Sequence, residues 1–278
     1  MTGINIIDCR AGLNGKVVFL TGGMGGIGQA CIDSFVAHGA QVAFTYADGQ
    51  ESAESAQQLV ATTPEQLSAH PLDLRFVRSI ETCMEAVMQR WGRIDIVVNN
   101  AAVGSATVAA YAKNSAEQDS AMLTINADGT LKVCQTFLRL MRASLMTDSL
   151  KIINLSSVGG GVQVFPGFRL SDGMSKAAVA FMTRQLAAEL SDTRVDVFAI
   201  CPGATNTPMF QASTLNKLSA DERRAFTNAL PKRRLIEPYE IANIITFLAS
   251  SYSTPMHGAV IDASMGLGVR PRLITEPR

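Results

Sequence analysis

The sequence predicts a doubly wound α/β fold, a parallel sheet of about seven strands with helices on both faces. Three observations carry this expectation. A short apolar run at 16–20 ends in the glycine-dense stretch Thr21-Gly22-Gly23-Met24-Gly25-Gly26-Ile27-Gly28, and a helical pattern follows at 29–38. Strand-like and helical runs then alternate along the chain, the pitch of right-handed βαβ units. With 278 residues the chain can build one large core, so a single unit is expected, with a lead-in at 1–14, a mobile lid at 204–229 and a tail at 267–278.

The opening strand, glycine turn and helix form an anion cradle. Glycines let the backbone turn tightly and approach a pyrophosphate, and the first N–H groups of the helix face its charge. Gly39-Ala40 stops that helix, and 41–46 (QVAFTY) is the second strand. At its end an acid selects a free ribose 2′-hydroxyl and a base accepts a 2′-phosphate. Tyr46-Ala47-Asp48 stands there; no Arg or Lys is offered, Asp48 favours NAD weakly, and the choice between NAD and NADP stays open.

A helix at 51–61 and a short strand near 67–70 lead to Pro71-Leu72-Asp73-Leu74. A helix at 75–91 and a strand at 94–98 end in Asn99-Asn100-Ala101-Ala102. Ligand belongs at the carboxyl ends of such strands, where the glycine turn, Asp73 and 99–102 all fall. Asp73 has a second reading as the cap of the following helix.

Residues 111–121 read as a loop with a short helix, and 123–146 as one long amphipathic helix. The fifth strand, 150–155, runs into Ser156-Ser157-Val158-Gly159-Gly160-Gly161. In the loop at 162–170, Val164, Phe165 and Phe168 are candidates to wall an apolar pocket, and Arg169 meets an anionic group or solvent. A helix opens near Ser171, a sixth strand spans 194–200, a helix 238–250 and a last strand 258–262.

Composition narrows the partners. Hydrophobic residues make up 47% and the formal net charge is zero, which argues against a nucleic-acid or membrane partner. No apolar run is long enough to span a bilayer, and 1–14 lacks the layout of a signal peptide. The five cysteines, Cys9, Cys31, Cys83, Cys134 and Cys201, are odd in number and scattered, as reduced thiols of a cytoplasmic protein would be. His38, His70 and His257 have no ligand-like spacing, so no metal is expected.

Taken together, residues 16–266 resemble the short-chain dehydrogenase/reductase family in its single-domain branch, a Rossmann-type fold. Thr21-Gly22-x-x-x-Gly26-x-Gly28 matches the family's cofactor turn, although Gly25 also satisfies the spacing of the extended branch. Asn99-Asn100-Ala101-Ala102 is similar to its NNAG. The resemblance implies NAD or NADP, held by Thr21, Gly22, Met24, Gly26, Ile27, Gly28, Tyr46, Asp73, Leu74, Asn100, Ala101, Lys176, Pro202, Gly203 and Thr207. Asp73 falls where relatives bond the adenine ring, Lys176 where they bond the nicotinamide ribose, and Thr207 where they bond the carboxamide. Asn126 matches the asparagine that holds a proton-relay water, or else is a solvent-facing helix residue. Ser157 aligns with the serine that hydrogen-bonds the substrate carbonyl. The helix at 123–146 matches one that builds dimers, so a homodimer or homotetramer is implied.

One position departs from the family. Where relatives read YxxxK, this chain has Asp172-Gly173-Met174-Ser175-Lys176. Arg169 occupies the alternative tyrosine spacing of enoyl reductases, and only Tyr111 among the tyrosines falls near the pocket. A phenol near pKa ~10 keeps its proton at pH 7 yet yields it to an alkoxide. An aspartate starts near ~3.9, and Lys176 one turn on is expected to pull it lower and to pair with it. The first reading is thus an NAD(P)-dependent oxidoreductase of carbonyl or alcohol substrates, slowed or altered by Asp172. The second is a non-catalytic nucleotide-binding subunit of a hetero-oligomer or a regulatory module. A weaker third is a lyase or isomerase with Asp172 as base.

Overall fold

The computed structural model describes residues 12–142 and 149–270. Seven strands, β1 (Val17–Thr21), β2 (Gln41–Ala47), β3 (Leu67–Leu72), β4 (Ile96–Asn99), β5 (Leu150–Leu155), β6 (Val195–Pro202) and β7 (Val260–Ala263), form one sheet. All pairs are parallel, in the order β3-β2-β1-β4-β5-β6-β7. The chain winds outward from β1 through β3, then returns to the other side of β1 with β4. That reversal opens a crevice at the carboxyl ends of β1 and β4.

Period-two alternation explains why β1 is buried along its whole length. Val18 and Leu20 enter one core with Phe35 of α1 (Gly26–Ala37) and Ile245 of α9 (Pro238–Ala249). Val17 and Phe19 enter the other, with Met84 of α3 (Val77–Trp91) and Phe137 of α5 (Gly129–Leu140). Helices therefore cover both faces, as the alternating pattern predicts. At the amino ends of the strands the charges are paired internally, Lys151 Nζ with Asp196 at 2.5 Å and Lys16 Nζ with Asp95 at 2.9 Å.

Two element expectations are corrected. The first helix starts at Gly26 and not at residue 29, because the glycine turn passes straight into helical backbone. The predicted helix at 123–146 is instead α4 (Ser115–Leu123), a wide π-type turn at Thr124–Asp128, and α5, which ends at Leu140. A Cβ on Gly129 would lie 2.8 Å from Leu74 Cβ, so the helix passes too close to β3's exit for any side chain there. The predicted end at Met146 lies outside the described residues. Beyond the wide turn, α6 (Leu170–Glu189) carries the DxxxK segment, and the lid region holds α7 (Pro208–Ser213) and α8 (Ala220–Ala229). Among the described residues no helix is long and apolar enough to cross a membrane.

Candidate active site

A cavity of about 760 Å3 follows the crevice from β2 and β3 at one end to α6 and the lid at the other. Its floor is the glycine turn. Gly25 caps α1 without a side chain, no residue in the first turn is acidic, and Gly25, Gly26 and Ile27 line the cavity, so the amino end of α1 lies at it with no side chain of its own as a cap. Close packing dictates the glycines. A Cβ at Gly22, where φ is +69°, would sit 2.8 Å from Ala101 Cα, and one at Gly28 would sit 2.1 Å from the Gly22 carbonyl oxygen. The turn is stitched to β4: Asn100 Nδ2 donates to the Thr21 and Gly22 carbonyls at 3.0 and 2.8 Å, and Thr21 Oγ1 accepts from the Asn100 and Ala101 amides at 3.1 and 3.0 Å.

Of the expected site residues, Gly22, Gly26, Ile27, Tyr46, Asp73, Leu74, Asn100 and Ala101 line the cavity. So do Ser157, Asp172, Lys176, Pro202, Gly203 and Thr207. Thr21, Met24, Gly28 and Asn126 do not line it. Thr21 and Gly28 act as the packing beneath the turn, and Met24 leans on the α1–α9 core. Asn126 is fully buried. Its side chain brackets Val103, accepting from the Val103 amide at 2.8 Å and donating to the Val103 carbonyl at 2.9 Å. Thr130 Oγ1 donates to the Asn126 carbonyl at 2.7 Å. The solvent-facing reading gives way to a buried brace.

That brace reaches the chemistry indirectly. Asn126 Nδ2 donates to Ser175 Oγ at 3.3 Å, and Ser175 Oγ donates to the Asp172 carbonyl at 2.8 Å, fixing the first turn of α6. On the same wall, Lys176 Nζ donates to the Leu155 carbonyl at 3.1 Å, and Ser156 Oγ donates to the Lys176 carbonyl at 2.7 Å. Ser157 Oγ accepts from the Gly159 amide at 3.2 Å, which leaves its own hydrogen for an oxygen in the cavity.

The expected ion pair between Asp172 and Lys176 is absent among the described residues. The direction of the Asp172 shift is also the reverse of the expectation. Burial pushes its carboxyl above the usual range, more strongly than the Lys176 and Arg169 charges pull it down. Burial likewise lowers Lys176, with Asp172 and Cys201 opposing. Burial thus moves both groups toward their uncharged forms, where the sequence suggested a charged pair.

The loop before α6 divides. Phe165 and Phe168 line the cavity, whereas Val164 is 79% exposed and faces away. Arg169 meets an anionic group of the chain itself rather than solvent: its Nε pairs with the Asp119 carboxylate at 2.7 Å and its Nη2 donates to the Ser115 carbonyl at 3.1 Å, clamping the loop onto α4. Thr207 Oγ1 accepts from the Phe210 amide at 3.2 Å and caps α7 at the cavity edge. Tyr111 lines the cavity near Asp73, Arg75 and Glu51, at the end away from Asp172, so it supplies no phenol to the position the family fills with tyrosine.

The sequence reading did not single out Glu51. Its Oε2 accepts from the Ala47 amide at 2.6 Å, which brings its carboxylate beside Asp48 at the end of β2, and both line the cavity. The only signal was an acid four residues past the strand end. Among the described residues no His/Cys/Asp/Glu cluster could hold a metal, and Cys31, Cys83, Cys134 and Cys201 are buried free thiols.

A parallel sheet with this reversal, a glycine turn at its crevice and a Ser–Lys wall beyond it defines a dinucleotide-binding α/β protein of the oxidoreductase type. The chain belongs to the short-chain dehydrogenase/reductase family: residues 22–268 match the family model described as enoyl-(acyl carrier protein) reductase. It is 33% identical over 258 residues to the 3-oxoacyl-[acyl-carrier-protein] reductase FabG of Thermotoga maritima, covering 92% of this chain and 98% of that protein. It is 30% identical over 260 residues to the oxidoreductase UcpA of Escherichia coli, covering 92% and 96%. The Pseudomonas aeruginosa RhlG/NADP active-site complex superposes with a TM-score of 0.81 at 27% identity, over 95% of this chain and all of that one.

Proposed function

We propose that this chain reduces an apolar carbonyl compound with NADH, using Asp172 in its protonated form where relatives use tyrosine. The observation that carries the reading is the desolvated Asp172 carboxyl on the same cavity wall as Ser157 and Lys176. The glycine cradle and the open first turn of α1 fit a pyrophosphate. A reduced nicotinamide dinucleotide, held by the glycine turn, would supply the hydride that the carbonyl carbon needs. Ser157 would hydrogen-bond the carbonyl oxygen and keep its proton, while Asp172 would give that oxygen the one proton the alcohol needs. Asp172 is left as a carboxylate and regains a proton through the open cavity. Lys176, with one N–H on Leu155, has others left for a ribose hydroxyl. Phe165, Phe168, Phe210 and Leu230 give the substrate end an apolar lining.

The test is to mix the full chain with NADH and a panel of ketones and acyl thioesters, after measuring NADH binding by fluorescence titration. Oxidation of NADH supports the reading. Binding without oxidation on any substrate favours the non-catalytic, nucleotide-binding role. Failure of both NADH and NADPH to bind well-folded protein sinks both.

The preference for NADH rests on charge. A ribose 2′-phosphate at the end of β2 would meet Asp48 and Glu51, while the basic residues of the cavity lining, Arg169, Lys176 and Lys217, come from the N-cap of α6, from α6 itself and from the lid. RhlG is held with NADP, so the choice follows these two acids and not the family. NADH should bind at least roughly tenfold tighter than NADPH, about 1.4 kcal/mol. Glu51→Gln keeps an acceptor for the Ala47 amide and removes the charge, so calorimetric titration should show the two affinities converging. Equal affinities in the unaltered chain would defeat the assignment.

The outer face of α6 carries Leu170, Met174 and Phe181, exposed by 78%, 50% and 64%, at near-helical spacing. A second copy of the chain covering this stripe fits the homodimer or homotetramer that the resemblance implies. Sedimentation should show an oligomer that Phe181→Asp shifts to smaller species. A monomer in the unaltered chain at about micromolar concentration would refute it.

A further inference from the structure

We propose that Tyr111 is the residue on which the adenine ring stacks in this chain, replacing recognition of the base by the Asp73 carboxylate. This rests on the nucleotide-binding reading above and concerns which residue holds the adenosine half.

Asp73 lines the cavity, but its acceptor capacity is already filled. Oδ1 accepts from the Arg75 amide at 3.0 Å and from Arg75 Nε at 2.9 Å, while Oδ2 accepts from Nε at 3.1 Å and Nη2 at 2.6 Å. A carboxylate offers about four lone-pair sites, and one neighbour meets both oxygens. These bonds hold the carboxyl below its usual range, so it stays the ionised half of an internal pair. Lys132 Nζ donates to the Arg75 carbonyl at 3.0 Å and pins that pair from α5. An exocyclic amine arriving here finds no open acceptor on Asp73.

The same arginine presents an aromatic surface instead. Its guanidinium carbon lies 5.2 Å from the Tyr111 ring centroid and 5.4 Å from that of Phe76. Tyr111 lines the cavity, whereas Arg75 and Phe76 do not. The guanidinium thus holds the ring from outside the cavity that Tyr111 lines. Burial, then the charges of Asp73 and Glu51, outweigh Arg75 and raise the phenol's pKa, so it is neutral at the β2–β3 end where adenosine belongs. Base stacking on an aromatic side chain needs no directed acceptor, which matches a site whose carboxylate is occupied.

The experiment titrates the full chain and two variants with NADH and with reduced nicotinamide mononucleotide, which lacks the adenosine. Tyr111→Ala should weaken NADH roughly five- to hundredfold and leave the mononucleotide within about twofold. Tyr111→Phe should bind NADH like the unaltered chain, and thermal melts check that both variants fold. NADH affinity unchanged in Tyr111→Ala, or equal losses for both nucleotides, overturns the inference while the oxidoreductase reading stands. If the unaltered chain binds no NADH, both fall together.

Discussion

Asp172→Asn should lower turnover by about 10²–10⁴-fold, the usual worth of a positioned acid, while NADH binds as before. The amide keeps the shape of the side chain and removes its proton. In the unaltered chain the rate should fall as pH rises through the raised pKa of Asp172, because only the protonated form can donate. Asp172→Tyr should move that falling limb toward alkaline pH, since a phenol holds its proton several pH units longer. The same group gives a stability readout. Its folded pKa lies above its unfolded one, so the folded state binds more protons and stability is lost as pH rises through that window. Asp172→Asn should therefore melt higher than the unaltered chain near pH 8, by roughly 2–4 °C for each kcal/mol relieved, and equally near pH 3. A pH-independent rate in the active enzyme, or an asparagine variant with full turnover, would remove Asp172 from the chemistry. A raised melting point alone, with no turnover in either protein, would instead favour the silent nucleotide-binding role.

Much of the sheet was legible because strand burial depends on local pattern. Val17 to Thr21 alternate into two cores, and the glycine turn that follows has few uses besides a close approach of backbone. The errors fall where a partner far along the chain decides. A residue count along 123–146 sees one amphipathic helix, but the wide turn at Asn126 and the bare Gly129 answer to Val103 and Leu74, which no helical periodicity reports. For Asp172 the sequence offered Lys176 one turn on and hence a lowered pKa. Burial outweighs that charge, and burial is a tertiary quantity. Glu51 escaped notice for a related reason. It reads as a helix-start acid, and only the return of its carboxylate to the Ala47 amide puts it at the end of β2, on the cavity wall. Arg75 is two residues from Asp73, yet its closure onto that carboxylate depends on how the β3–α3 loop turns.

The glycine turn also separates loss of fold from loss of strength at a single atom. Gly28→Ala should destabilise the chain by more than about 3 kcal/mol, a large share of the roughly 5–15 kcal/mol that holds a typical protein folded. The new Cβ would stand 2.1 Å from the Gly22 carbonyl oxygen and under 3 Å from two Gly23 backbone atoms. None of these is a flexible side-chain end. Gly23 is itself fixed, its amide donating to the Thr45 carbonyl at 2.8 Å and its Cα too near Phe44 for a side chain. Relief must come from α1, which would tilt away from the sheet and lift Phe35 and Ile32 from the core they share with α9. The cavity floor would move with it, so nucleotide binding should vanish along with the melting point. Gly49→Asn is the control: its φ is +69°, no atom lies within 4 Å of its Cβ, and asparagine tolerates that conformation at a cost of about 1 kcal/mol or less. Denaturant titration of the two variants distinguishes the cases. A Gly28→Ala protein as stable as Gly49→Asn would mean that the turn yields, and that the close packing of α1 on the first strand's exit does not set the shape of the cradle.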